Sequence, residues 1–286
     1  MSTQPPLWKA SVPCKKSDAP DIVAALELAP PSPQAVLVQE DPFKDNGVVE
    51  ALYDVMPDGD VLSRIVGKAV HVQLLPDADW IKLSQEGLPP VRAGRFFVYG
   101  AHDAGKVPHG VIPMKIEAGQ AFGTGHHETT ALCLSVLSAL AKLRRFNNVL
   151  DIGCGTGLLA IGAAKLWHQP VTASDIDPIA IEVTRENAVA NGVSPLVQAV
   201  VADGPMHPIL RNLAPYDLIL ANILAGPLMR LAPSVSHIVA KGGVLVLSGL
   251  LHWQEIQVLS YYRPHGLKLI DTRRDGSWSA LILEKA

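Results

Sequence analysis

The chain has 286 residues, 48% hydrophobic and 18% charged, with a formal net charge of −3. That composition is enough for a sizeable core and excludes a disordered chain, and the small negative charge offers no global attraction to nucleic acid. Cys14, Cys133 and Cys154 are few, odd in number and widely spaced, which points to neither a disulfide framework nor a zinc cluster.

The opening MSTQPPLWKASVPCKK holds no apolar stretch long enough for a signal peptide, and no run approaches the ~18 apolar residues of a membrane span. A soluble, cytoplasmic protein is the expectation. Met1 to Arg95 carries 9 Lys+Arg against 13 Asp+Glu, and the remainder 15 against 14. An acidic front part suits a basic partner, although ordinary scatter gives the same count.

In chain order, WKASVPC (Trp8–Cys14) reads as a strand and DAPDIVAALELA (Asp18–Ala29) as a helix with Pro20 in its first turn. QAVLVQE and VVEALYDV read as strands, DGDVLSRIVGKA as a short helix and VHVQLL as a strand. The order β-α-β-β-α-β predicts a ferredoxin-like α+β domain over 1–95. Pro- and Gly-rich sequence from Leu88 to Gly119 predicts a linker, 96–118, carrying one or two strands that include RFFVYG.

From Thr129 strands and helices alternate regularly: TALCLSVLSALAKL, NVLDIG, GLLAIGAAKLW, VTASDID, PIAIEVTRENAVANG, VQAVVADG and YDLILANI. A helix from about Pro227, the strand GGVLVLSGL and the helix LHWQEIQVLSYYRPHG follow, and LKLIDTRR with WSALILEK forms a terminal antiparallel pair. This predicts an α/β domain, 119–286, with a doubly wound, mostly parallel sheet covered on both faces.

Ligands of such sheets sit beyond the carboxyl ends of the strands. The first βα turn is VLDIGCGTG, Val149 to Gly157. Its glycines allow a sharp turn and a close ligand approach, and the helix after it presents N–H groups. No lysine stands where a phosphate-binding loop needs one, and Leu158 replaces the third glycine of a dinucleotide fingerprint. The string D-x-G-x-G-x-G, containing Gly153 and Gly155, resembles the first motif of class I S-adenosylmethionine-dependent methyltransferases. Asp177 before Pro178 reads as a helix N-cap, leaving Asp175 free to accept from two ribose hydroxyls. Asp203 ends the third strand, where that family contacts the adenine, and a plain turn aspartate fits there equally. Asn222 ends the fourth, where such enzymes place a substrate-orienting side chain.

Taken with AFGTGHHETT, DIGCGTGLLAIGAAKL, SDIDPIAI and LILANILAGPLMRLAP, the chain is similar to the PrmA family, which methylates large-subunit ribosomal protein L11. The resemblance spans about Ile116 to Lys285 and implies a seven-stranded methyltransferase sheet behind an N-terminal substrate-recognition domain. It implies S-adenosylmethionine as cofactor, held at Thr130, Gly153, Gly155, Asp175, Asp203 and Asn222, with Asn222 also catalytic. It implies methyl transfer to lysine ε-amino and N-terminal α-amino groups, and a ribosomal protein, rather than nucleic acid or membrane, as partner. The family's GTHPTT is GHHETT here, so His126 and Glu128 receive no role.

The same stretch contains His126, His127 and Glu128, but three ligands in one turn make a poor metal site, and none is expected. It reads instead as a glycine hinge into a helix capped by Thr129 or Thr130. A methyltransferase for a nucleobase or a glutamine amide is the alternative. Those enzymes carry N-P-P-[YF] at the fourth strand end for stacking, where this chain has Asn222-Ile-Leu-Ala225. A nicotinamide oxidoreductase is disfavoured by the missing fingerprint, and a silent cofactor-binding module would bind without transferring.

Overall fold

The computed structural model describes residues 8–33, 35–40, 45–74, 90–116 and 128–286. The chain divides into two compact units, Met1–Leu83 and Ser84–Ala286.

In the first unit β1 (Trp8–Cys14), α1 (Ala19–Leu28), β2 (Ala35–Glu40), β3 (Gly47–Tyr53), α2 (Gly59–Val66) and β4 (His71–Leu74) follow in that order. The sheet order β2-β3-β1-β4, all antiparallel, is the ferredoxin-like arrangement. Period-two alternation builds its core: Ala10 and Val12 of β1 and Val49, Ala51 and Tyr53 of β3 are fully buried. Helix α2 shows both terminal signals. The Asp58 carboxylate accepts from the amides of Asp60 and Val61, and Gly67 closes the helix at φ +72°.

The second unit begins earlier than position 96. Strands β5 (Val91–Ala93), β6 (Phe96–Tyr99) and β7 (Ile112–Lys115) form a three-stranded sheet, β6 pairing antiparallel with β5 and parallel with β7. Phe96, Val98 and Met114 are buried in the same core as α3 (Glu128–Leu143), and the Asn191 side chain pairs with both backbone groups of Lys115. Of the linker expected over 96–118, residues 96–116 are instead part of this unit and carry the strands read there, and 117–118 lie outside the described residues. Among the described residues Gly94 and Gly110 stand in turns and Pro113 within β7, while the strands carry buried side chains such as Phe96 and Met114.

The main sheet comprises β8 (Val149–Ile152), β9 (Val171–Asp175), β10 (Val197–Val201), β11 (Tyr216–Asn222), β12 (Val239–Leu251), β13 (Leu267–Asp275) and β14 (Trp278–Lys285). Its order is β10-β9-β8-β11-β12-β14-β13, parallel except for β14, which runs antiparallel to both neighbours. The intervening helices are α4 (Leu158–Trp167), α5 (Pro178–Ala190), α6 (Pro208–Leu213), α7 (Ala225–Ile238) and α8 (Glu255–Tyr262). Alternate residues of β11 serve different cores: Leu218 and Leu220 pack with α3 and α4, Ile219 and Ala221 with α7 and α8. This is the doubly wound, mostly parallel seven-stranded sheet expected. Chain order reverses direction between β8 and β11, so their carboxyl ends flank the switch point. Among the described residues no helix is long and apolar enough to cross a membrane.

Candidate active site at the carboxyl ends of the parallel strands

The turn after β8 is shaped by Gly153, Gly155 and Gly157, all left-handed at φ +68°, +54° and +78°. Here glycine is required, because an L side chain is strained in that region. The loop is stitched to its surroundings by its own backbone. The amides of Gly153 and Cys154 both donate to the Ser174 carbonyl, at 2.8 and 3.0 Å. From α5, the Thr184 hydroxyl donates to the Gly155 carbonyl and the Asn187 amide to that of Thr156. Cys154 is buried against Thr184 and fills the space between loop and helix.

Asp151 enters here although the sequence reading gave it no role. Gly157 occupies the N-cap of α4 and has no side chain, and the buried Asp151 carboxylate accepts from the Ala160 amide at 3.0 Å instead. One of the helix amides expected to face a ligand is thus already used. Burial pushes the Asp151 carboxyl up to about 7, the Ala160 hydrogen bond acting against that rise and the Asp175 charge with it.

Asp175 is half-buried and not free as expected. Its Oδ2 accepts from the Gly155 amide at 2.9 Å and its Oδ1 from the Asp177 amide at 3.0 Å. The carboxylate therefore holds the glycine loop to the end of β9, with one lone-pair direction left on each oxygen. Asp177 caps α5 by accepting from the Ile179 amide, as its place before Pro178 predicts. Asp203 is exposed just beyond β10, next to Ala202, whose amide donates to the Asp175 carbonyl at 2.8 Å.

Thr129 and Thr130 do not cap their helix. α3 starts at Glu128, so both lie inside its first turn and are buried. His126 and His127 lie outside the described residues. The Asn222 Nδ2 donates to the Thr130 Oγ1 at 3.2 Å, joining residues 92 positions apart. The Asn222 Oδ1 is buried and has no hydrogen-bond partner among the described residues. An unpaired buried acceptor costs roughly 1–3 kcal/mol, so one at a strand end beside the switch point calls for an arriving donor.

Thr130, Gly153, Gly155, Asp175 and Asn222 are thus linked through hydrogen bonds or adjoining turns, and Asp203 stands at their margin. The fit to a nucleoside carrying an amino acid is good on two observations. Three left-handed glycines leave three positions of the loop without side chains while those of Cys154 and Thr156 are buried, and two acceptors, Asp175 and Asn222, retain capacity. The sequence reading also missed Gly249, a lone glycine inside an apolar strand, which is itself a signal for a bulge.

Residues 26–286 match the family described as ribosomal protein L11 methyltransferase (PrmA). A ribosomal protein L11 methyltransferase of Mesorhizobium japonicum is 43% identical over 94% of this chain and 96% of its own. One from Brucella suis is 41% identical over 86% and 93%. Among solved structures, the ribosomal protein L11 methylase of Lactobacillus delbrueckii subsp. bulgaricus superposes with a TM-score of 0.62 at 25% identity, covering 69% of this chain and 99% of its own.

Proposed function

We infer, from the premise that this chain belongs to the ribosomal protein L11 methyltransferase (PrmA) family, that it methylates lysine ε-amino and N-terminal α-amino groups of that ribosomal protein. Its cofactor is S-adenosylmethionine. The observation that carries the amine assignment is the buried Asn222 Oδ1, without a partner among the described residues and with the amide held from its other side by Thr130.

Bound S-adenosylmethionine supplies a methyl group already activated on a sulfonium, which needs a neutral nucleophile in line. A free lysine has a pKa near ~10.4 and is mostly charged at neutral pH. Asn222 Oδ1 accepts an N–H from the arriving amine and turns its lone pair toward the reacting centre. A neutral amide oxygen favours the ammonium form less than a carboxylate does, and Asp175 has both oxygens engaged with backbone amides. Holding the amine in one orientation removes an entropic part of the barrier. Gly153 and Gly155 would admit the cofactor closely, Asp175 would hold its ribose hydroxyls, Asp203 its adenine and Thr130 its amino-acid end.

The first unit serves as the recognition domain. Met1–Leu83 carries 7 Lys+Arg against 12 Asp+Glu, a balance suited to a basic ribosomal protein and poor for phosphate contacts. Nucleic acid is not the target, and the reaction belongs to the cytoplasm, where ribosomal proteins are made.

The test offers radiolabelled S-adenosylmethionine with unmethylated ribosomal protein L11 and ribosomal RNA to the wild-type chain and to Asn222→Ala. Label on amines of the protein, lost in Asn222→Ala while cofactor affinity persists, is the expected result. Label in RNA overturns the substrate, and equal loss of transfer and cofactor binding reduces Asn222 to a binding residue.

A further inference from the structure

We propose that Ile223 is a positioning residue that sets the direction of the Asn222 amide, gripped for that purpose between Gly153 and Gly249. The inference rests on the methyltransferase reading above and extends it to residues with no polar atom in the site.

β11 lies between β8 and β12 in the sheet, and its last residues run Ala221-Asn222-Ile223. On the β8 side, a methyl group placed on Gly153 would run into the Ile223 Cγ2. On the β12 side, one placed on Gly249 would run into the Ile223 carbonyl oxygen and lie 2.8 Å from its carbonyl carbon and 3.1 Å from its nitrogen. The side chain of Ile223 therefore rests on one glycine and its peptide on the other. Both glycines are left-handed, at φ +68° and +80°. Glycine at Gly249 admits the neighbouring backbone, and no rotamer change relieves a clash with backbone atoms.

Gly249 is held where it stands. Between β12 and β14 the register passes from Leu247↔Leu281 to Leu250↔Ser279, so Ser248 and Gly249 include one extra residue, a β-bulge. The buried Ser248 Oγ donates to the Ser279 carbonyl at 3.1 Å, and Ser248 is the register partner of Asn222. Bulges bend a strand locally and re-aim what lies beside it. Here the bulge presents the bare Cα of Gly249 to the Ile223 peptide. Asn222 is fixed at its side chain by Thr130 and at its carboxyl neighbour by this grip, so rotation of the Ile223 peptide would swing Oδ1 away from the amine.

The experiment compares Ile223→Ala, Ile223→Val and Gly249→Ala with wild type. The readouts are kcat on unmethylated ribosomal protein L11, the Kd of S-adenosylmethionine, the distribution of mono-, di- and trimethylated product, and the thermal midpoint. Ile223→Ala and Gly249→Ala should lower kcat about tenfold or more and shift product toward fewer methyls. Cofactor Kd should stay within about threefold of wild type, and Ile223→Val, which keeps Cγ2, should retain most of the rate. Unchanged kcat in Ile223→Ala overturns the inference, as does a parallel loss of kcat and cofactor affinity, or Val and Ala behaving alike. If Gly249→Ala does not fold, the Ile223 pair decides. A wild-type chain that transfers nothing to the ribosomal protein overturns the substrate reading, and with it the inference.

Discussion

The Asp151 carboxylate caps a helix that begins seven residues later, accepting from the Ala160 amide at 3.0 Å where the helix's own N-cap, Gly157, has nothing to offer. Burial raises the Asp151 carboxyl from 3.8 to about 7. Between those values the folded chain binds more protons than the unfolded one. Its contribution is therefore fully present below pH ~4 and is lost as pH rises through about 7.

Stability of the ligand-free chain should accordingly fall from pH ~4 to ~7 by an amount on the order of 4 kcal/mol from this group alone. Asp151→Asn keeps an acceptor for Ala160 and cannot ionise. It should remove that slope and exceed wild type in stability at pH 8. Urea unfolding at pH 5 and pH 8 checks this, and an unaltered slope in the variant would place the pH dependence elsewhere.

Thr130 and Asn222 meet from α3 and β11, so the hydroxyl should matter more to the rate than to folding. Thr130→Val preserves shape and removes the partner of Asn222 Nδ2. The expected loss in kcat is about tenfold, the cost of roughly 1–1.5 kcal/mol for one neutral hydrogen bond. Thr130→Ser should recover most of it. Steady-state methyl transfer with cofactor Kd alongside separates this from a binding effect. Equal rates in Val and Ser would show the hydroxyl to be idle.

Much of the fold is legible in the sequence alone. The strands Trp8–Cys14 and Trp278–Lys285 fall where their sequences place them. Asp177 is the expected cap. What stayed hidden is what depends on partners far along the chain. Phe96 and Met114 sit among prolines and glycines, and only the α3 and α4 packing shows them to be core rather than linker. Asp175 looked free because its donor Gly155 lies 20 residues away. Ile223 carries no chemistry in its side chain, and its role follows only from the two glycines beside it.

Glu255 gives a pH dependence of opposite sign. The Arg274 guanidinium, donating to both oxygens at 2.7 Å, holds the carboxyl below its ordinary value, against its partial burial and with help from Ser279. Its contribution is present above the unfolded value near 4.5 and is lost as pH falls through the lower folded value. Glu255→Gln should cost roughly 1.5–3 kcal/mol at pH 7, the range for hydrogen bonds to a charged group. The deficit should shrink as pH falls below 4.5 and through the lower folded value. Thermal melts at pH 7 and pH 3.5 test it, and a deficit independent of pH would make the loss one of packing.

If the acidic first unit recognises a basic protein, long-range attraction should show in encounter rather than in chemistry. Charges further apart than a Debye length of about 8 Å at physiological salt are largely screened. Raising salt from 50 to 300 mM should therefore raise KM for the ribosomal protein several-fold, by roughly 1 kcal/mol, and leave kcat within a factor of about two. Reversing charge on exposed acids of this unit, Asp21→Lys and Asp60→Lys together, should mimic high salt and flatten the dependence. The contrast with cofactor binding is informative, because Asp175 is already occupied by two amides and sits in the other unit. Its affinity should barely respond to either change. A KM indifferent to salt and to both substitutions would remove charge from recognition and leave shape and apolar contact to do it.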